Sequence, residues 1–156
     1  MYLHPKVLPT LCGILDESDA RGSECYLASI ATWADKFKYR MRWSAPLHYV
    51  GAVDDNPPDK CAYPGAGGWA GKQEINVLDG IKNVTGLLQD WVGNDATDAT
   101  ANEALKFLVH FMGDLHQPLH LTGRDRGGNS FKVKWDRRHT SKCMSWLLLL
   151  FATQDN

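Results

Sequence analysis

Ala104-Leu105-Lys106-Phe107-Leu108-Val109-His110-Phe111-Met112-Gly113-Asp114-Leu115-His116-Gln117-Pro118-Leu119-His120 is the stretch on which the reading of this chain turns. Ala104, Phe107, Leu108, Phe111 and Leu115 recur at three- and four-residue spacing, the period of one apolar helical face. Upstream, Asp95-Ala96-Thr97-Asp98 supplies N-cap candidates. The residue before Pro118 resists the α conformation, so the helix is expected to end near Gln117. His110 and Asp114 stand about 40° apart at 100° per residue and share a face that borders the apolar stripe. Both polar groups are therefore expected to point inward. A buried carboxylate and a buried imidazole need partners, and a divalent metal satisfies both at once. Pro118 lets His120 curl back toward the same pocket, whereas His116 lies about 120° round from His110 and is left out of the ligand set. Read alone, the His110/Asp114 spacing also fits a helix pair with a capping or supporting role.

Outward from this block, the remaining helical stripes are weaker. Leu27, Ile30, Ala31, Ala34 and Phe37 predict a helix from Leu27 to about Arg40, and Val77, Leu78, Ile81, Val84, Leu88 and Trp91 predict one from about Gln73 to Val92. Pro46 is expected to open an extended segment running into the Asp54-Asp55-Asn56-Pro57-Pro58 turn. Residues 64–71 are a glycine-rich loop, and 123–129 is another. Phe131-Lys132-Val133-Lys134-Trp135 alternates and reads as one short strand. The class is mainly α.

The chain has 156 residues, enough for one ordinary domain, with 44% hydrophobic and 22% charged residues, so it is neither disordered nor of low complexity. Lys+Arg 17 against Asp+Glu 18 gives a net charge of -1 and excludes a polybasic protein that binds by bulk charge. No stretch supplies the roughly 18 apolar residues of a membrane helix. The first residues lack the pattern of a signal peptide. Cys12, Cys25, Cys61 and Cys143 include no C-x-x-C pair, and four cysteines allow three disulfide connectivities. Asn83-Val84-Thr85 is a glycosylation sequon inside a helical pattern. Between Arg124 and Lys142 seven Lys/Arg face two Asp, a net of +5. That excess fits either steering of a polyanion or a solvated strand edge.

Two further candidates lie upstream. Asp35, with Lys38 one turn on, sits in the first helical pattern, and His48 sits beside Tyr49. Singly they read as a solvated carboxylate and a core histidine. With the third helix they supply the mixed Asp/His donors that zinc clusters favour over magnesium. No nucleophile elbow, P-loop or dinucleotide fingerprint occurs.

Trp33-Ala34-Asp35, Leu47-His48-Tyr49, Asp55-Asn56-Pro57-Pro58, the Ala104 to His120 block and Gly127-Gly128-Asn129 together resemble the single-strand-specific zinc nucleases of fungi and plants, the S1/P1 nuclease family. That family shares its mainly helical fold with bacterial zinc phospholipase C. The resemblance runs from about Leu11 to Thr140. It implies a trinuclear zinc endonuclease that hydrolyses phosphodiester bonds of single-stranded DNA or RNA. Asp35, His48 and His110 would hold one zinc, Asp114 would bridge it to a second, and His120 would belong to the third. Lys38 would contact the scissile phosphate, working with Asp35 and Asp114 in the chemistry, while Tyr49 and Asn129 would line the nucleotide pocket. An aromatic beside the metals can stack an unpaired base, which suits single strands. The resemblance further implies secretion, and nucleic acids or nucleotides as partners.

The chain also departs from the family pattern. The family's mature chain begins with a Trp whose amine binds zinc and has a His ligand close behind, whereas here Met1 leads and His4 stands in a different context. No L-H-x-x-W-D signature follows the expected strand, and His139 lies ahead of where it would fall. Gly51 replaces an Asp that many members carry, and Cys61 matches a disulfide cysteine whose partner would lie further along. One zinc site thus keeps all its side-chain ligands, the second only Asp114, and the third only His120. The expectation is a truncated nuclease domain over residues 1–140 with an atypical tail over 141–156. Such a chain is either an enzyme of the family or an inactive fragment or pseudoenzyme that binds zinc or nucleic acid. An unrelated helical domain with a structural metal or none is the third reading.

Overall fold

The computed structural model describes residues 6–15, 27–53, 64–71, 74–130, 132–135 and 138–140. The Asp54 to Pro58 turn, Phe131, Cys25, Cys61, Cys143 and the tail after Thr140 lie outside the described residues. The fold is mainly helical. Its α-helices are α1 (Leu8–Ile14), α2 (Leu27–Ile30), α3 (Trp33–Phe37), α4 (Val77–Val92) and α5 (Asp98–Leu115). Two 3-10 helices, Arg42–His48 and Pro118–Leu121, flank the functional segments. Strands β1 (Gly51–Ala52) and β2 (Trp69–Ala70) form one antiparallel pair, and β3 (Val133–Trp135) and β4 (Arg138–Thr140) form another. The chain clusters into two compact units, residues 1–45 with 78–113 and residues 46–77 with 114–156.

The first unit is built on α5. Thr97 caps it, its hydroxyl accepting from the Thr100 N–H at 3.2 Å, and the helix stops at Leu115 ahead of Pro118. Its apolar face is buried as the spacing requires: Ala104, Phe107 and Phe111 are each 3% exposed or less. Ala101 and Leu105 join Ile14, Leu15 and Ile30 in a core, with Leu11, Leu27, Trp33, Leu88, Trp91 and Val109 packed around it. Trp33 stacks on Phe37 at 4.9 Å and meets Phe107 edge-on at 5.3 Å, and Phe107 stacks on Phe111 at 5.2 Å. The buried Asn102 amide donates to the Ile14 carbonyl at 3.0 Å, so its polarity is satisfied inside the apolar cluster. Lys106 is also buried, with its ammonium 5.4 Å from the Trp33 ring centre. In α4, Val77 and Val84 face inward, whereas Leu78 is 36% exposed and leaves the expected stripe. Asn83 of the sequon is exposed on α4.

Three expectations need correction. The helix expected from Leu27 to Arg40 is broken at Ala31–Thr32 into α2 and α3. At the break the Ala31 carbonyl accepts from His110 Nδ1 at 2.6 Å, a tertiary partner that satisfies it without a continuous helix. The segment from Pro46 is 3-10 rather than extended as far as His48. It is tightened by Ser44, whose N–H and hydroxyl both donate to the Met41 carbonyl, at 2.9 and 2.8 Å. The strand expected at Phe131 to Trp135 is present as β3, and it pairs antiparallel with β4, Val133 opposite Thr140 and Trp135 opposite Arg138. The second predicted helix also begins four residues late, at Val77, whose N–H donates to the Tyr49 carbonyl at 3.2 Å.

In the second unit the segment carrying His48 and Tyr49 lies along the one carrying His120. Val50 N–H donates to the His120 carbonyl at 2.9 Å, and Gly51 then passes Gly123 backbone to backbone. A Cβ added at Gly51 would stand 2.4 Å from Gly123 Cα and 2.7 Å from the Thr122 carbonyl oxygen, so no side chain fits without moving backbone. Gly51→Ala is accordingly expected to cost about 1–3 kcal/mol in urea unfolding. Gly51→Asp, with a larger side chain, is expected to cost more.

Candidate metal centre

In the first unit the predicted donors Asp35 and His110 come together: each offers a ligand atom within 4.8 Å of the other's. His110 is 3% exposed on α5, and its Nδ1 faces the Ala31 carbonyl, which can only accept. Nδ1 therefore carries the proton, and Nε2 keeps the lone pair a metal would use. Asp35, in the first turn of α3, is 40% exposed and 3.8 Å from the Lys38 ammonium, itself 49% exposed. An ion pair this wet contributes at most about 1 kcal/mol. Its interest is positional, since a cation sits beside a carboxylate that offers a ligand atom to a metal.

In the second unit Asp114, His48 and His120 come together. Asp114 follows His110 by one turn of α5 and is 3% exposed. Its Oδ2 accepts from His48 Nδ1 at 2.9 Å, which again leaves the lone pair on the far nitrogen, Nε2. His120 is buried on the Pro118–Leu121 turn, where the Gln117 side chain accepts from the Leu119 N–H. Its Nδ1 donates to the Gly127 carbonyl at 2.7 Å, and its Nε2 lies 3.4 Å from Asp114 Oδ1. An Nε2 lone pair facing a carboxylate oxygen at that range is repulsive unless a proton or a metal cation stands between them.

Gly127 is held at φ 67 against Tyr49; a Cβ there would come within 2.6 Å of Tyr49 Cβ and 3.2 Å of His120 Nδ1. Tyr49 is thus packed next to the loop that orients His120. Asn129 is exposed, and its amide donates to the Arg126 carbonyl at 2.9 Å, closing its own loop. His116, one residue beyond the end of α5, is exposed. The residues that sequence reasoning missed are Ala31 and Gly127, whose carbonyls set the tautomers of His110 and His120. Cys12 is a free thiol in α1. Among the described residues no helix is long and apolar enough to cross a membrane.

A family model described as S1/P1 Nuclease matches residues 1–146. Endonuclease 2 of Arabidopsis thaliana is 36% identical over 146 residues, covering 85% of this chain and 49% of its own length. Nuclease P1 of Penicillium citrinum is 37% identical over 149 residues, with coverage of 93% and 51%. Nuclease S1 of Aspergillus oryzae is 39% identical over 128 residues, with coverage of 80% and 42%. The chain thus spans about half the length of the curated relatives it matches. With a family model over nearly the whole sequence and relatives well above 30% identity, the chain belongs to the S1/P1 nuclease family.

Proposed function

We propose that this chain carries the zinc-binding part of an endonuclease that hydrolyses phosphodiester bonds of single-stranded DNA or RNA. The carrying observation is the buried Asp114 carboxylate in contact with two imidazoles, on the same helix as a third whose tautomer is set for ligation. Asp35, His48 and His110 would hold one zinc, and Asp114 and His120 would contribute to holding two more. Bound zinc supplies Lewis-acid polarisation of the phosphoryl oxygens and makes water a stronger nucleophile at neutral pH. Lys38, on its flexible stem, reaches the phosphate and offsets the charge that grows as the bond breaks. Tyr49 offers a ring face to an unpaired base, which a base paired in a duplex cannot reach. Asn129 stands at the rim of the same loop. Secretion goes with this reading by family.

A second reading, a chain that binds zinc or nucleic acid without turnover, is favoured by one sequence observation. After Lys134-Trp135 no L-H-x-x-W-D follows to complete the His120 zinc. Metal analysis combined with an assay on denatured DNA separates the two. About three zincs per chain and turnover abolished by chelator are expected for the enzyme, and one retained zinc without turnover for the second reading. A folded chain that holds no zinc would overturn both.

A further inference from the structure

Residues 36–43, Lys36-Phe37-Lys38-Tyr39-Arg40-Met41-Arg42-Trp43, hold four cations, three aromatic rings and no carboxylate. Their backbone turns sharply. The Phe37 carbonyl ends α3 by accepting from both Arg40 N–H at 2.8 Å and Met41 N–H at 3.0 Å, and the 3-10 helix from Arg42 follows directly. Of these eight residues only Phe37 and Met41 are partly buried. Tyr39 is 77% and Trp43 60% exposed, two of the three most exposed large apolar side chains among the described residues. Lys36, Lys38, Arg40 and Arg42 are all exposed around them. The cations lie over rings, Lys38 Nζ 5.8 Å from the Tyr39 centre and Arg40 Cζ 5.8 Å from the Phe37 centre. The segment starts at the metal donors, because Lys38 contacts Asp35 at 3.8 Å.

A single exposed aromatic needs no explanation, but two of them set among four cations do. A protein partner would favour an apolar centre depleted of Lys. Exposed rings with cations beside them match a strand whose bases are unstacked and whose backbone carries one negative charge per nucleotide. We propose that residues 36–43 form a binding track that holds the single strand beyond the nucleotide at the metal centre, Tyr39 and Trp43 stacking bases while Arg40 and Arg42 contact phosphates. The ligand class rests on the nuclease reading; the track itself does not depend on how many zincs are held.

The test is fluorescence anisotropy of labelled dT3 and dT12 with the full chain, titrated across a range of NaCl. The native protein is expected to bind dT12 at least about tenfold more tightly than dT3. In Arg40→Ala/Arg42→Ala the slope of log K against log salt should fall by about 1.4, two phosphate contacts at about 0.7 each. Tyr39→Leu and Trp43→Phe should each bring the dT12 to dT3 affinity ratio toward one, and both keep an apolar side chain so that the fold is retained. Unchanged slope and ratio in these variants would overturn the track, as would failure of the native chain to bind dT12, including a chain that binds anionic vesicles instead. Zinc content and chelator-sensitive hydrolysis of dT3 are read in parallel. Intact zinc-dependent hydrolysis with indifferent variants sinks the track alone, and a working track without zinc sinks the zinc reading alone.

Discussion

Asp114→Asn is expected to lower zinc affinity about a hundredfold or more while leaving the chain folded. Substitutions that merely support a ligand already cost about 10- to 100-fold, and Asp114 does more than support. Its two oxygens face different imidazoles, His48 Nδ1 at 2.9 Å and His120 Nε2 at 3.4 Å, in surroundings where the residue is 3% exposed. An amide has nearly the same shape, so packing survives, but it has no charge and only one acceptor. If its oxygen stays toward His48, its NH2 turns toward His120. There it meets a lone pair, because His120 Nδ1 is committed as a donor to the Gly127 carbonyl. The new hydrogen bond occupies the nitrogen that a zinc would take. The substitution therefore removes one anionic ligand and blocks a neighbouring neutral one. Competition against a fluorescent zinc chelator measures the affinity, and circular dichroism checks the fold. The exposed His116→Ala serves as a control with unchanged affinity. A native affinity in Asp114→Asn would overturn the ligand assignment.

What the sequence disclosed about this centre, and what it hid, follows from the range of the interactions. The inward direction of His110 and Asp114 was legible because helix period and apolar stripe are local, and Thr97 and Pro118 bound α5 by equally local rules. The break at Ala31–Thr32 was not legible, since the imidazole that the Ala31 carbonyl meets there is 79 residues away. Nor was β2, whose two residues sit in a glycine-rich loop with no strand period and are defined by pairing with Gly51–Ala52. The 3-10 turn through Pro46 was hidden because Pro is compatible with several backbone forms at φ near −65°. The carbonyls of Ala31 and Gly127 have no signature at all, because any residue type supplies a carbonyl. Asp35 and His48 were legible as candidates only in company with the donors of α5, and the assignments at Lys38, Tyr49 and Asn129 came from the family resemblance alone. Gly51 shows the reverse case: a side chain there would meet the Gly123 backbone, a contact no sequence reading anticipates.

Phe111→Ala is expected to be the most destabilising of these substitutions, by about 3–5 kcal/mol. Phe111 is 1% exposed and is among the largest fully buried side chains of the described residues. Its ring stacks on Phe107 at 5.2 Å, and Phe107 in turn meets Trp33 and Trp43, so truncation opens a gap at one end of an aromatic row. Such rows are rigid and collapse poorly, which places the cost toward the upper end. Against a total stability of about 5–15 kcal/mol the loss is a large fraction, and the urea midpoint should fall accordingly. Phe111→Leu, which refills most of the volume, should recover more than half of it, whereas Val92→Ala, 73% exposed, should stay within about 0.5 kcal/mol. The same unfolding curves separate packing from ligation. A metal that binds only the folded chain adds stability that depends on its concentration over its dissociation constant and not on the starting stability. Phe111 neighbours His110 on α5 with ring centres 6.3 Å apart, but it offers no donor atom. The increment produced by zinc over a chelator-treated sample should therefore be nearly native in Phe111→Leu, despite its lower baseline. In Asp114→Asn the baseline should be nearly native and the increment lost. An equal loss of increment in both variants would mean that α5 transmits packing to the metal, and the division between core face and ligand face drawn above would be wrong.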